Sequence, residues 1–243
     1  MFIRVFENEV QAGQAAAMLI GTQIVTKPDS VIGLATGSSP VTAYQELVRL
    51  CQAGVVDWSR VSTFNLDEYI GLAPEHHQSY RYFMMKNLFG KINMRPEAIH
   101  MPDGTAVNPA EECMAYERAI RAVGGIDLQL LGLGRNGHIG FNEPSTCFST
   151  LTHIVDLTED TINANSRFFE KSADVPKKAI SMGVGTIMQA RQIVMLVTGT
   201  DKARAVLSMV QGMIDPKCQA SILQTHAHVT VLLDRAAATA LNR

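Results

Sequence analysis

Residues 126–145 read IDLQLLGLGRNGHIGFNEPS. The first half is an apolar run of strand length with little alternation, the pattern of a strand covered on both faces. The second half places Gly132, Gly134 and Gly137 in a G-x-G-x-x-G spacing, which raises the reading of a dinucleotide-binding loop. That fingerprint needs a helix after its glycines. HIGFNEPS, with Gly140 and Pro144, is poor helix sequence. The fingerprint also usually belongs to the first βαβ unit, and this one lies mid-chain. The alternative is that the glycines let the backbone pass close to a substrate while His138 and Glu143 project into a site. Histidine is the natural acid/base near neutral pH. Glu143 can orient it or exchange protons with it. Asp67, His138 and Glu143 together could ligate a metal, but no dense spacing such as H-E-x-x-H supports that, so no metal is expected.

Working outward, further strand-length runs occur at 31–36 (VIGLAT), 61–65 (VSTFN), 193–199 (IVMLVTG) and 229–234 (VTVLLD). Helix-like segments occupy 9–25, 40–53, 79–88, 109–122 and 201–210. Strands alternating with helices predict an α/β fold. It is a doubly wound, mostly parallel, Rossmann-like sheet with helices on both faces. Neither a repeat nor a low-complexity linker interrupts it, so residues 1–243 are read as a single α/β catalytic domain. The stretch 144–176 differs, being rich in Ser, Thr, Asp and Asn with a weak apolar pattern. It reads as a lid-like excursion or a peripheral subdomain.

Composition narrows the class. Hydrophobic residues make up 47% and charged residues 18%, enough for a substantial core and against disorder. The net charge of −2 gives no reason to expect a nucleic-acid surface. No apolar run reaches the roughly 18 residues of a membrane span. The start, MFIRVFENEV, has charges where a signal peptide places its apolar core, so a cytoplasmic location is expected. Cys51, Cys113, Cys147 and Cys218 lie far apart without a C-x-x-C pair and read as reduced thiols.

In open α/β sheets, ligands bind beyond the carboxyl ends of the strands. Four strands here run into polar sequence at that end. The first is followed by Thr36, Gly37, Ser38, Ser39 and Pro40. Gly37 permits a tight turn, the serines can cap the next helix, and Pro40 suits its first turn. Free N–H groups there would form an anion site, typically for phosphate, unless the stretch is an ordinary capped helix start. The second strand is followed by LDEY, in which Asp67 and Glu68 should point to opposite sides. Asp67 is assigned to the pocket and Glu68 to structure beneath Tyr69. After 193–199 comes TDKA, read as a helix start with Thr200 or Asp201 as cap. Lys202 in a first turn opposes the helix dipole, which makes sense if an anion sits nearby. Arg167, in ANSRFF, is a second candidate cation for the same anion.

GLATGSSP, FNLDEYIGL, GRNGHIGFNEP, ANSRFF and SMGVGTI together resemble the glucosamine-6-phosphate deaminase family, in the family's order and across most of the chain. The related 6-phosphogluconolactonases lack the FNEP and FN-x-DEY segments. The resemblance implies that glucosamine 6-phosphate and water give fructose 6-phosphate and ammonia, with no cofactor or metal. His138, assisted by Glu143, would open the sugar ring, and Asp67 would move the C2 proton. Thr36, Gly37, Ser38, Ser39, Arg167 and Lys202 would hold the phosphate. Many members carry Asp where this chain has Asn136, which can orient His138 but cannot take up a proton. Larger members bind N-acetylglucosamine 6-phosphate between subunits, through basic residues after FNEP and a longer tail. Here 145–160 contains no Lys or Arg, and the chain ends soon after Leu241. No activation by that effector is therefore expected. The partner implied is a small sugar phosphate, with no nucleic acid or membrane, in a monomer or homo-oligomer. A lactonase-type hydrolase and a non-catalytic sugar-phosphate regulator remain as other readings.

Overall fold

The computed structural model describes residues 1–158 and 175–241. In chain order the main-sheet strands are β1 (Phe2–Phe6), β2 (Val31–Leu34), β3 (Ser62–Asn65), β5 (Ile99–His100), β6 (Leu128–Leu131), β9 (Gln192–Val197) and β10 (Val229–Asp234). Their order is β1-β10-β9-β6-β2-β3-β5, and every neighbouring pair is parallel. The five runs legible in the sequence are the five inner strands. The two edge strands were not foreseen. β1 keeps a half-exposed surface and β5 is two residues long, so neither carries a continuous apolar signal.

Successive residues of the inner strands serve opposite cores, as the pleat requires. Ile32, Leu130 and Val194 pack with Ile20, Tyr44 and Met84 of α1 (Glu9–Thr26), α2 (Val41–Gln52) and α3 (Tyr80–Asn87). Val31, Leu131 and Met195 pack on the other face with α4 (Pro109–Ala122), α5 (Val184–Ile187) and α6 (Ala203–Gln211), through Tyr116, Ile187 and Val206. The sheet is thus covered on both faces, as expected. Two helix starts are set by side-chain caps. Asn8 Oδ1 accepts from the Gln11 N–H at 3.0 Å, and Ser79 Oγ from the Tyr82 N–H at 3.0 Å.

From β2 the chain winds outward to β3 and β5, whereas β6 leads to β9 and β10 on its other side. The winding reverses between β2 and β6, so the loops after these two strands open the crevice where such folds bind ligands. A second, antiparallel sheet closes one side of it, in the order β4 (Asp67–Tyr69), β8 (Lys178–Ser181), β7 (His153–Asp156).

This small sheet refines two expectations. In LDEY, read as polar sequence after a strand, Asp67–Tyr69 form a strand of their own, turned out of the main sheet to pair Asp67 with Ser181. The excursion expected over 144–176 is not irregular throughout, because 153–156 is β7. Its four residues alternate between half-buried and exposed, too short and polar a run to read without its distant partner. Residues 159–174 of the excursion lie outside the described residues, and with them Arg167.

Candidate active site

Asp67 enters the site on β4, which aims it inward and its neighbour away. Glu68 accepts backbone N–H groups from Tyr69 at 2.9 Å, Tyr80 at 2.8 Å and Arg81 at 2.8 Å, so its carboxylate seats the N-terminus of α3. Burial raises the Glu68 carboxyl, and those three donors oppose the rise. Asp67 is 5% exposed. Burial first, and then the Glu68 charge, push its carboxyl up to about 8. Tyr44, Tyr80 and Tyr116 lie close enough to feel its charge. The Tyr80 hydroxyl hydrogen-bonds with Thr36 and donates to the Tyr69 hydroxyl at 3.2 Å, tying the 35–40 loop to β4.

The loop after β6 folds back over Asp67. Gly137 and Gly140 have positive φ, 87° and 57°, a region that L side chains rarely adopt. A Cβ on Gly134 would fall 2.3 Å from the His138 ring, so this glycine makes room for the imidazole. A Cβ on Gly140 would lie 3.0 Å from Ser181 Oγ and 3.4 Å from Asp67 Oδ2. Ser181 Oγ also accepts from the Phe141 N–H at 3.0 Å. The loop is therefore docked directly beside the carboxylate. Its glycines serve close approach, with no helix after them, which disposes of the dinucleotide reading.

Within the loop three side chains meet. Asn136 donates from Nδ2 to Glu143 Oε2 at 2.6 Å and accepts the His138 N–H at 3.2 Å. His138 Nδ1 lies 3.4 Å from the same Glu143 oxygen, an ion-pair distance without hydrogen-bond geometry. The side chains are 28% exposed for His138 and 8% for Glu143, so the imidazole is open to a ligand while the carboxylate stays behind it. Asn136 acts here on Glu143 and on the histidine's backbone, not on its ring. This is a finer arrangement than the sequence suggested.

The loops after β2 and β9 meet across the end of β6, where Ser39 Oγ lies 3.2 Å from Thr198 Oγ1. Gly37 has φ 103°. The expected serine cap is absent. α2 begins at Val41 after Pro40, with no side-chain cap bond. Tyr44 on the first turn of α2 hydrogen-bonds back to the Ala35 carbonyl, which holds the strand-to-helix turn by another route. Lys202 does not occupy the first turn of an α-helix. Residues 200–202 form a short 3-10 turn, and α6 starts at Ala203. The cause is Gly199, at φ 95°, whose N–H is held at 3.1 Å by both Asp234 oxygens. Asp201, expected as a possible cap, instead accepts from Arg135 Nε at 2.7 Å. Burial lowers the Lys202 ammonium's pKa, Asp201 opposes this, and Arg135 reinforces it.

The site thus has three participants that sequence reasoning missed: Arg135, Ser181 and Asp234. Asp234 ends a strand in a polar residue, the same signal that drew attention to Asp67. Arg135 lies inside the decisive loop, where nothing in the sequence alone assigns it a partner. Ser181 opens the SMGVGTI motif, but nothing in the sequence gives its role, which depends on pairing with β4. Among the described residues no cluster of three or more His, Cys, Asp or Glu could hold a metal, and no helix is long and apolar enough to cross a membrane.

The fold and the position of this site define a class. The chain belongs to the family of glucosamine-6-phosphate isomerases and 6-phosphogluconolactonases, whose model matches residues 8–232. More particularly, it is 52% identical over 241 residues to a glucosamine-6-phosphate deaminase of Halothermothrix orenii, covering 99% of this chain and 100% of that one. It is 53% identical over 227 residues to a glucosamine-6-phosphate deaminase of Clostridioides difficile, covering 93% and 91%. A solved structure of a monomeric glucosamine-6-phosphate deaminase superposes with a TM-score of 0.96 at 41% identity, covering 99% of this chain and 100% of that one.

Proposed function

We propose that this chain is a glucosamine-6-phosphate deaminase, a single catalytic domain acting in amino-sugar breakdown. The observation that carries the reading is the docking of the His138 loop against a buried Asp67 whose carboxyl is pushed up to about 8. A base for a carbon-bound proton and an acid/base for the sugar ring then share one crevice. The high identity to deaminases over almost the whole chain favours this reaction over lactone hydrolysis.

We assign the steps that the resemblance implies to these residues. His138, backed by Glu143, moves a proton from the anomeric hydroxyl to the ring oxygen, and the sugar opens to its aldehyde. Asp67 takes the C2 proton, the electron pair moves through C1 onto the aldehyde oxygen, that oxygen takes a proton from His138, and the C2 ammonium gives up a proton to water, leaving a neutral enolamine. Asp67 returns its proton to C1 as the nitrogen lone pair moves in, which yields an iminium at C2. Water adds there, ammonia leaves, and the ketose remains. The substrate carbonyl supplies the electron sink. The substrate's own C2 ammonium is the counter-charge that draws Asp67 into its ionised form on binding. Thr36, Gly37, Ser38, Ser39, Arg167 and Lys202 hold the phosphate. Incubation with glucosamine 6-phosphate should release ammonia and fructose 6-phosphate, whereas 6-phosphogluconolactone should be left unopened. The reverse pattern would make this a lactonase.

Lys202→Ala should weaken the phosphate subsite without changing the chemistry. A charge-assisted hydrogen bond is worth roughly 1.5–3 kcal/mol, or about 10–150-fold in affinity. Measured as competition by inorganic phosphate, the constant should rise by such a factor. An unchanged constant would place the anion elsewhere. Arg167→Ala should behave alike.

Saturation with glucosamine 6-phosphate should be hyperbolic, and N-acetylglucosamine 6-phosphate should not activate. An effector phosphate needs cations at a second site that favours one of two states, and 145–158 offers no Lys or Arg. A sigmoidal curve made hyperbolic by that compound would contradict this.

A further inference from the structure

Arg135 stands at the join between the catalytic loop and the turn that carries Lys202. Its Nε donates to Asp201 Oδ2 at 2.7 Å, with the two side chains 69% and 45% exposed. A pair this exposed contributes little, so the guanidinium can exchange partners at small cost. Arginine has five N–H donors, and this bond uses one. Lys202 follows Asp201 in the chain and feels the Arg135 charge. Two cations therefore share one corner with one carboxylate, which leaves an excess of positive charge. The Ser39–Thr198 contact brings the Gly37 turn to the loop that carries this corner. Planar, bidentate donation suits arginine to phosphate better than lysine.

We propose that Arg135 is a phosphate ligand held in reserve by Asp201: when a sugar phosphate enters, the guanidinium leaves the carboxylate for the phosphate oxygens. This rests on the deaminase reading only in taking a sugar phosphate as the ligand. Because Asn136 is next in the chain and holds Glu143 at 2.6 Å, the exchange takes place one residue from the side chain that positions Glu143. A clamp that merely fastens the two loops would make a different prediction. Breaking it from either end would loosen the same turn and weaken binding. A reserve ligand gives opposite signs, because Asp201 competes with the phosphate.

The test is titration calorimetry with inorganic phosphate and with fructose 6-phosphate, at fixed ionic strength, on the wild-type chain, Arg135→Ala, Asp201→Asn and the double variant. Arg135→Ala should weaken both ligands about 10-fold, at the low end for a charge-assisted bond because the site is exposed. Asp201→Asn should tighten both severalfold. In the Arg135→Ala background that gain should vanish, since it acts through the arginine. Unchanged binding in Arg135→Ala, weakening in both single variants, or a gain that persists in the double variant would each overturn the proposal. A wild-type chain that binds fructose 6-phosphate but releases no ammonia from glucosamine 6-phosphate would sink the deaminase reading and leave this one standing.

Discussion

Asp67→Asn should still bind fructose 6-phosphate but lose turnover about 10²–10⁴-fold, the usual worth of a general base. Asparagine fills the same space on β4 and keeps the pairing with Ser181, so the crevice survives while the proton acceptor is lost. Exchange of the C2 hydrogen with deuterated solvent should fall in step with turnover. Near-normal exchange would remove Asp67 from the role. The same side chain sets the pH dependence. With its carboxyl near 8 in the folded chain, Asp67 is mostly protonated at neutral pH, so kcat/KM should rise with pH up to about 8. The matching limb of kcat should lie lower, because the bound substrate's ammonium favours the carboxylate. Stability runs the other way. The folded state holds this proton more tightly than the unfolded chain, whose aspartate titrates near 3.8, so stability falls as pH rises between those two values and levels off above about 8. Asp67→Asn should remove that part of the decline. Its Tm should drop less than that of the wild type between about pH 5 and pH 9. Parallel Tm curves for the two proteins would show that Asp67 titrates normally.

His138→Gln should lower turnover on the cyclic sugar about 10²–10³-fold, by the same measure of acid–base catalysis. Its affinity for an open-chain amino-sugar phosphate, in which the aldehyde is reduced to an alcohol, should stay within a few fold. That split separates ring opening from binding. Glu143→Gln should show the same split with a smaller loss, since His138 remains in place and Asn136 still has an oxygen to bond. Equal loss of affinity for the open-chain analogue would mean that the loop positions the sugar rather than opening it.

The inner five strands were legible because burial on both faces leaves a continuous apolar run, and that pattern survives without knowledge of partners. The edges β1 and β5, and the antiparallel β4-β8-β7, were not. β1 is half exposed, β4 and β5 are only three and two residues long, and the β4 pairing joins distant segments, as Asp67 and Ser181 show. At the site, the residue types after each strand pointed to the right loops. The local geometry was less accessible. No spacing says that Gly199 would be pinned by Asp234, and so the helix start was placed too early and Lys202 put inside it. The serine cap failed for a related reason: Tyr44 reaches back to Ala35 and makes a capping hydroxyl unnecessary. Glu68, read as structural because it precedes Tyr69, proves to hold the start of α3, a role that only the fold of 70–81 reveals.

The most direct measurement is the stoichiometry of the products formed from glucosamine 6-phosphate by the purified chain with no added cofactor. Ammonia and fructose 6-phosphate should appear at equal rates, and in Asp67→Asn both should fall together by at least about 100-fold. A wild-type chain that releases neither product, or an Asp67→Asn chain that releases both at the wild-type rate, would contradict the account.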